Sequence, residues 1–132
     1  MKMYLWIALG SAIGGATRYW VSGLVAQKVG ETFPWGTLVV NVSGSFLIGL
    51  IATLTQTEGR FLVSPELRQF LMVGVLGGYT TFSSFSLQTL NLAREGEWAW
   101  SALNIASSVI CCLLGVWLGH VTAGLINEME GP

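Results

Sequence analysis

Apolar residues in this chain gather into four long blocks, and the polar residues between them form short, turn-rich clusters. The blocks run near residues 4–25, 37–55, 69–93 and 98–125, each close to the roughly 20 residues that carry a helix across a hydrocarbon core. The first cluster runs from Gln27 to Pro34, and the second is Gln56-Thr57-Glu58-Gly59-Arg60. Ser64-Pro65-Glu66 and Arg94-Glu95-Gly96-Glu97 supply the others. Ser64 followed by Pro65 predicts a helix start, with Ser64 as the capping residue and Pro65 in the first turn. Trp6, Trp20, Trp35, Trp98 and Trp100 fall near block ends, where aromatic anchors meet the membrane interface. The pattern predicts an all-α membrane protein with four transmembrane helices in a single domain, residues 1–132.

The third block interrupts its own pattern. Between Gly74 and Ser86 it holds Gly77 and Gly78, Thr80 and Thr81, Ser83 and Ser84, and the pair Phe82 and Phe85. Glycine weakens a helix, and Ser and Thr offer the backbone competing hydrogen bonds. A broken third helix is expected, at Gly77-Gly78 and the neighbouring Thr80-Thr81. Irregular backbone at membrane depth is tolerated only where protein buries it or where it lines a wet cavity.

Composition strengthens the membrane assignment. Only 10% of residues are charged and 52% are hydrophobic, against about 25% charged in a soluble domain. A net charge of -1 gives no electrostatic footprint for nucleic acid. Cys111 and Cys112 are adjacent, a spacing that suits neither a mutual disulfide nor a metal site. Lys2 and the short apolar run after it imitate a leader peptide, but apolar character continues past Arg18 and predicts a retained first span.

With the N-terminus on one side, that side holds Lys2, Arg60 and Arg68; the other holds Lys28 and Arg94, with Arg18 nearer to it. The positive-inside rule has almost nothing to act on. Either a single orientation or insertion both ways up is compatible with this, and the second would permit an antiparallel dimer. Gly10 and Gly14, Ser45 and Gly49, Gly74 and Gly78, and Gly115 and Gly119 are small pairs four apart, the spacing that lets helix backbones approach.

All seven acids, Glu31, Glu58, Glu66, Glu95, Glu97, Glu128 and Glu130, lie in connections or tails. The spans therefore lack a carboxylate for a proton relay or a cation site. They hold neutral donors and one cation. Arg18 either snorkels to the interface, its default, or serves a site. Asn41 either ties helices together or presents its amide to an anion. Phe82 and Phe85 share a helix face, and their ring edges carry partial positive charge. Carbonyls freed at a break need a partner, which a bound cation, water or hydroxyls can supply. Asn104, Ser107 and Ser108 give the fourth span a polar stripe, and His120 falls near its end, where an interfacial role is the default.

Three motifs then coincide. Gly14-Gly15-Ala16-Thr17-Arg18-Tyr19 is the first; the second is Gly36-Thr37-Leu38 with Asn41, Gly44 and Gly49. The third is Gly74-x-x-Gly77-Gly78-x-Thr80-Thr81-Phe82-Ser83-x-Phe85-Ser86. Together they resemble the Fluc/CrcB fluoride channels over nearly the whole chain, the third motif being the most specific. The resemblance implies an antiparallel, dual-topology homodimer in the lipid of the bacterial inner membrane, with two narrow pathways exporting fluoride passively. By position, Phe82 and Phe85 resemble the pore phenylalanines and Asn41 the pore amide. Ser83, Ser84 and Ser108 resemble the hydroxyl track, with Thr81 and Gln88 also on the pathway. Gly77 and Thr80 resemble the residues whose main-chain carbonyls hold a central structural sodium ion, and Arg18 the basic residue of the vestibule. The chain departs from the family pattern at Ser84, commonly Thr, at Gln88, commonly Glu, and at Asn104, often aromatic. A small dual-topology multidrug or cation exporter is the competing class, but it would be expected to use a membrane-embedded glutamate. No nucleophile–base pair or metal cluster points to an enzyme.

Overall fold

The first polar cluster turns the chain at Gly30, whose φ of 86° suits a residue without a side chain. It separates helix α1, Lys2–Val29, from α2, Trp35–Leu54. The computed structural model describes residues 1–129, and among these every regular element is helical. The third block forms α3, Pro65–Gln69, a π-helical segment, Phe70–Leu76, α4, Gly77–Tyr79, and α5, Phe82–Arg94. The last helix is α6, Trp98–Glu128. Glu130 lies outside the described residues.

Three helical stretches are long and apolar enough to cross a membrane: Trp35–Leu54, Pro65–Arg94 and Trp98–Glu128. The expected first span is a helix of 28 residues, but it is not among the three. Arg18 and the small and aromatic residues around it dilute its apolar character. The two halves of the Pro65–Arg94 stretch are each short. α5 has 13 residues, a rise of about 20 Å against a core of about 30 Å, so the break between the halves falls at membrane depth.

The predicted capping at Ser64 is present: its hydroxyl accepts from the Leu67 N–H at 3.2 Å, with Pro65 in the first turn. The break is present too, on the threonine half of the expected stretch and not on the glycine half. Gly77 and Gly78 stay helical, and the interruption is Thr80-Thr81, both extended, with ψ of 159° and 115°. β-branched residues suit extended backbone. The glycine at 78 serves packing: a Cβ there would lie 2.6 Å from the Ser11 carbonyl oxygen of α1. The π segment was not anticipated. Its widened winding shows at Gly77, whose N–H reaches the Met72 carbonyl five residues back as well as that of Gly74.

Packing follows the small pairs. α2 lies most extensively against α6, and α1 against the π segment. A Cβ on Gly119 would strike the Phe46 carbonyl oxygen, and one on Gly10 would stand 2.7 Å from that of Phe70. Thr53 and His120 join α2 to α6 through Oγ1 and Nδ1 at 2.8 Å. The Phe33 ring is buried between Trp35 and Trp100, with centroids 4.7 and 5.6 Å away, at one end of the bundle.

Candidate functional site

A helix broken inside a membrane must settle the backbone groups it frees. Here side chains from other helices do so. Asn41 of α2 grips Thr81 on both sides: its Nδ2 donates to the Thr81 carbonyl at 3.0 Å, and its Oδ1 accepts from the Thr81 N–H at 2.7 Å. Arg18 of α1 donates from Nη1 to the Thr80 carbonyl at 3.3 Å, so it turns inward to the break rather than along α1 to an interface. The Thr80 N–H and hydroxyl both return to the Leu76 carbonyl, at 3.0 and 2.9 Å. Thr81 caps α5: its Oγ1 accepts from the Ser84 N–H at 3.2 Å and meets the hydroxyls of Ser84 and Ser83 at 3.1 and 3.3 Å.

Two cavities flank the break. One, of about 430 Å³, lies between α2, α5 and α6; its wall includes Asn41, Thr80, Thr81, Phe82, Phe85 and Ser108. The other, of about 1000 Å³, takes in Arg18, Thr81, Ser84 and Gln88, with Glu31 and Glu97 among its outer residues. Thr81 belongs to both. The smaller cavity has no charged residue in its wall. The Phe82 and Phe85 rings sit 5.2 Å apart, tilted by 55°. Phe85 is buried, whereas Phe82 is 78% exposed and stands at the open edge.

No group of three or more His, Cys, Asp or Glu that could hold a metal occurs among the described residues. Main-chain oxygen is the remaining donor type. With the Thr81 N–H committed to Asn41, no N–H is directed at the Gly77 carbonyl among the described residues. Gly77 and Thr80 thus offer hard oxygen donors beside the smaller cavity, chemically suited to an alkali cation. Arg18 occupies one approach to the Thr80 oxygen and leaves its second lone pair.

A family profile described as CrcB-like protein, Camphor Resistance (CrcB), matches residues 5–120. The chain belongs to the CrcB family. Its relatives include a protein of Methylocella silvestris, 62% identical over 97% of this chain and 98% of its own length. A Rhodospirillum rubrum protein is 62% identical over 95% of this chain and 97% of its own, and one from Opitutus terrae is 60% identical over 99% of each. All three are named fluoride-specific ion channel FluC. With three membrane-crossing stretches, this CrcB-family chain is a multi-pass membrane protein.

The structure of the CrcB-family chain brings Asn41, Thr81, Phe82, Phe85 and Ser108 to one cavity, and Arg18, Ser84 and Gln88 to the other, joined at Thr81. Ser83 touches Thr81 but lines neither. Gln88 carries a buried Oε1 with no hydrogen-bond partner among the described groups. Sequence reasoning missed the grip of Asn41 on Thr81. An amide in an apolar helix signals a polar partner, but not which one.

Proposed function

We propose that this chain is a fluoride-selective channel, not an enzyme, which lets fluoride leave the bacterial cytoplasm across the inner membrane down its gradient. The observation that carries the reading is the pair of cavities meeting at Thr81, the smaller one walled by uncharged hydrogen-bearing groups beside the break. Relatives about 60% identical named fluoride-specific channels support the choice of ion.

The physics of the ion explains the lining. Stripping a small, strongly hydrated anion of water costs tens of kcal/mol in a low-dielectric medium unless donors replace that water. A conducting path must also let the ion go, so its donors have to be numerous and weak rather than one trapping charge. Arg18, Ser84 and Gln88 gather the ion in the wider cavity. Thr81, Ser83 and Ser84 supply hydroxyls at the break. Asn41 keeps one amide hydrogen beyond the one given to Thr81. The tilted rings of Phe82 and Phe85 offer electropositive edges, and Ser108 faces them from α6. The start of α5, whose Phe82 and Ser83 N–H groups meet no acceptor among the described residues, adds a positive dipole end.

The working unit in this reading is an antiparallel homodimer in lipid, with α1 as a fourth crossing. Support comes from the balanced flanking charge and from Phe82, which stands exposed where a second copy would close the cavity. A second copy would also bring the Gly77 and Thr80 carbonyls to four oxygens, enough to hold a structural sodium ion. Bound there, that ion would add positive potential to the protein interior.

Protein reconstituted in fluoride-loaded liposomes should release fluoride, and not chloride, on a fluoride-selective electrode. Phe82→Ile and Phe85→Ile should each abolish release while leaving the assembly intact on a sizing column. Unchanged release in both variants would remove the pathway assignment. Sodium removal, verified by elemental analysis, should stop release; equal flux after proven loss would sever the ion from the mechanism.

A further inference from the structure

Asn104 is 2% exposed and lines neither cavity. Its amide is the centre of a hydrogen-bond chain between α6 and α5. Ser108 Oγ donates to Asn104 Oδ1 at 3.5 Å, Asn104 Nδ2 donates to Thr89 Oγ1 at 2.9 Å, and Thr89 Oγ1 donates to the Phe85 carbonyl at 2.7 Å. The far end fixes the direction of the whole chain. A carbonyl only accepts, so Thr89 commits its one proton to Phe85 and can only accept from Asn104. The amide must then turn its NH₂ to Thr89 and its oxygen to Ser108. Ser108 is left as the donor, with its proton turned towards Asn104.

That last bond is unlike those of the neighbouring hydroxyls. Ser107 donates to the Leu103 carbonyl at 2.7 Å, Thr122 to that of Leu118 at 2.7 Å, and Ser86 to that of Phe82 at 2.9 Å. Those are short bonds to the backbone one turn back. The 3.5 Å contact of Ser108 lies beyond the roughly 2.5–3.0 Å of an ordinary O–H···O bond. Ser108 is therefore a cavity-wall hydroxyl whose proton is held by a side-chain acceptor, and held loosely.

We propose that Asn104 is a positioning residue for anion passage. Its Oδ1 orients the Ser108 proton through a weak contact while no ion is near. When a small anion arrives, Ser108 rotates and gives that proton to the ion; when the ion leaves, the proton returns to Asn104. The Thr89–Phe85 link sets the amide in the orientation this needs. The inference rests on the fluoride-channel reading of Ser108.

The test is a set of fluoride-release rates from liposomes for the parent protein, Asn104→Leu, Ser108→Ala and the double variant. Asn104→Leu should slow release about three- to tenfold, the size of coupling typical of groups in contact. On the Ser108→Ala background the same change should alter the rate by less than about twofold. Equal slowing on both backgrounds, or none in the parent, overturns the proposal. A parent that releases no fluoride overturns the channel reading instead. Where Ser108→Ala leaves no measurable release, or Asn104→Leu fails to fold, Thr89→Val decides. Freed to flip, the amide should no longer serve Ser108, and release should slow about threefold; a parental rate overturns the proposal.

Discussion

The α2–α6 seam and the break between α4 and α5 solve opposite problems within one bundle. Along the seam, side chains are left out. Gly49, Gly115 and Gly119 bring two intact helices into near backbone contact, and each helix satisfies its own peptide groups. At the break, side chains are brought in. The Thr80 carbonyl and both backbone groups of Thr81 lose helical partners; Arg18 and Asn41 replace them, and the Thr81 hydroxyl caps the helix that follows. A bundle with so little soluble surface can hold an irregular stretch because rigid, close-packed neighbours present those replacements at fixed positions.

The contrast can be broken from either side. The largest effect is expected from removing a side chain at the break. Asn41→Ala strands both the N–H and the carbonyl of Thr81, and should lower stability by about 2–6 kcal/mol, read as a lower thermal midpoint in detergent together with lost fluoride release. Adding a side chain to the seam comes next. Gly119→Ala drives a methyl into the Phe46 carbonyl, a position where no flexible side chain can yield, and should cost about 1–3 kcal/mol on the same melting assay. Thr53→Val removes the one side-chain bond described across the seam, to His120, and should cost about 1 kcal/mol. Gly124→Ala is the smallest and has the opposite sign. It meets nothing within 4 Å, so it should raise stability by about 0.5–1 kcal/mol through helix propensity alone. Melting points that placed Gly124→Ala alongside Gly119→Ala would remove the distinction drawn for the seam.

The same contrast explains what the amino-acid sequence disclosed. The small pairs at Gly10 and Gly14, Gly74 and Gly78, and Gly115 and Gly119 were legible because close approach needs a missing Cβ at a fixed spacing, which is a one-dimensional signal. The capping at Ser64 was local and equally plain. The break was legible in kind, since Gly, Ser and Thr crowd together, and its position in part, since Thr80-Thr81 was in the expected stretch but the glycines beside it were not separable from it. Gly77 and Gly78 looked like the helix breakers, yet packing against Ser11 and Gly15 keeps Gly78 helical and passes the interruption to the two threonines. Nothing in the composition announces that Asn41 meets Thr81 across 40 positions, or that Asn104 meets Thr89 across 15. Both are facts of helix placement. The Phe82–Phe85 pair was recognisable as a motif, although one ring is buried and the other faces outward.

The wide-wound strip from Phe70 to Leu76 has a consequence for how this chain can change over time. A substitution there that let the strip relax to ordinary winding, with no residue lost, would swing everything beyond it by roughly 100° about the axis. Thr80 would turn away from Arg18 and Thr81 from Asn41, although no wall residue had been altered. The winding upstream of the gap is thus as much a part of the conduit as the groups that line it, and substitutions that relax it should be purged more strictly than most others.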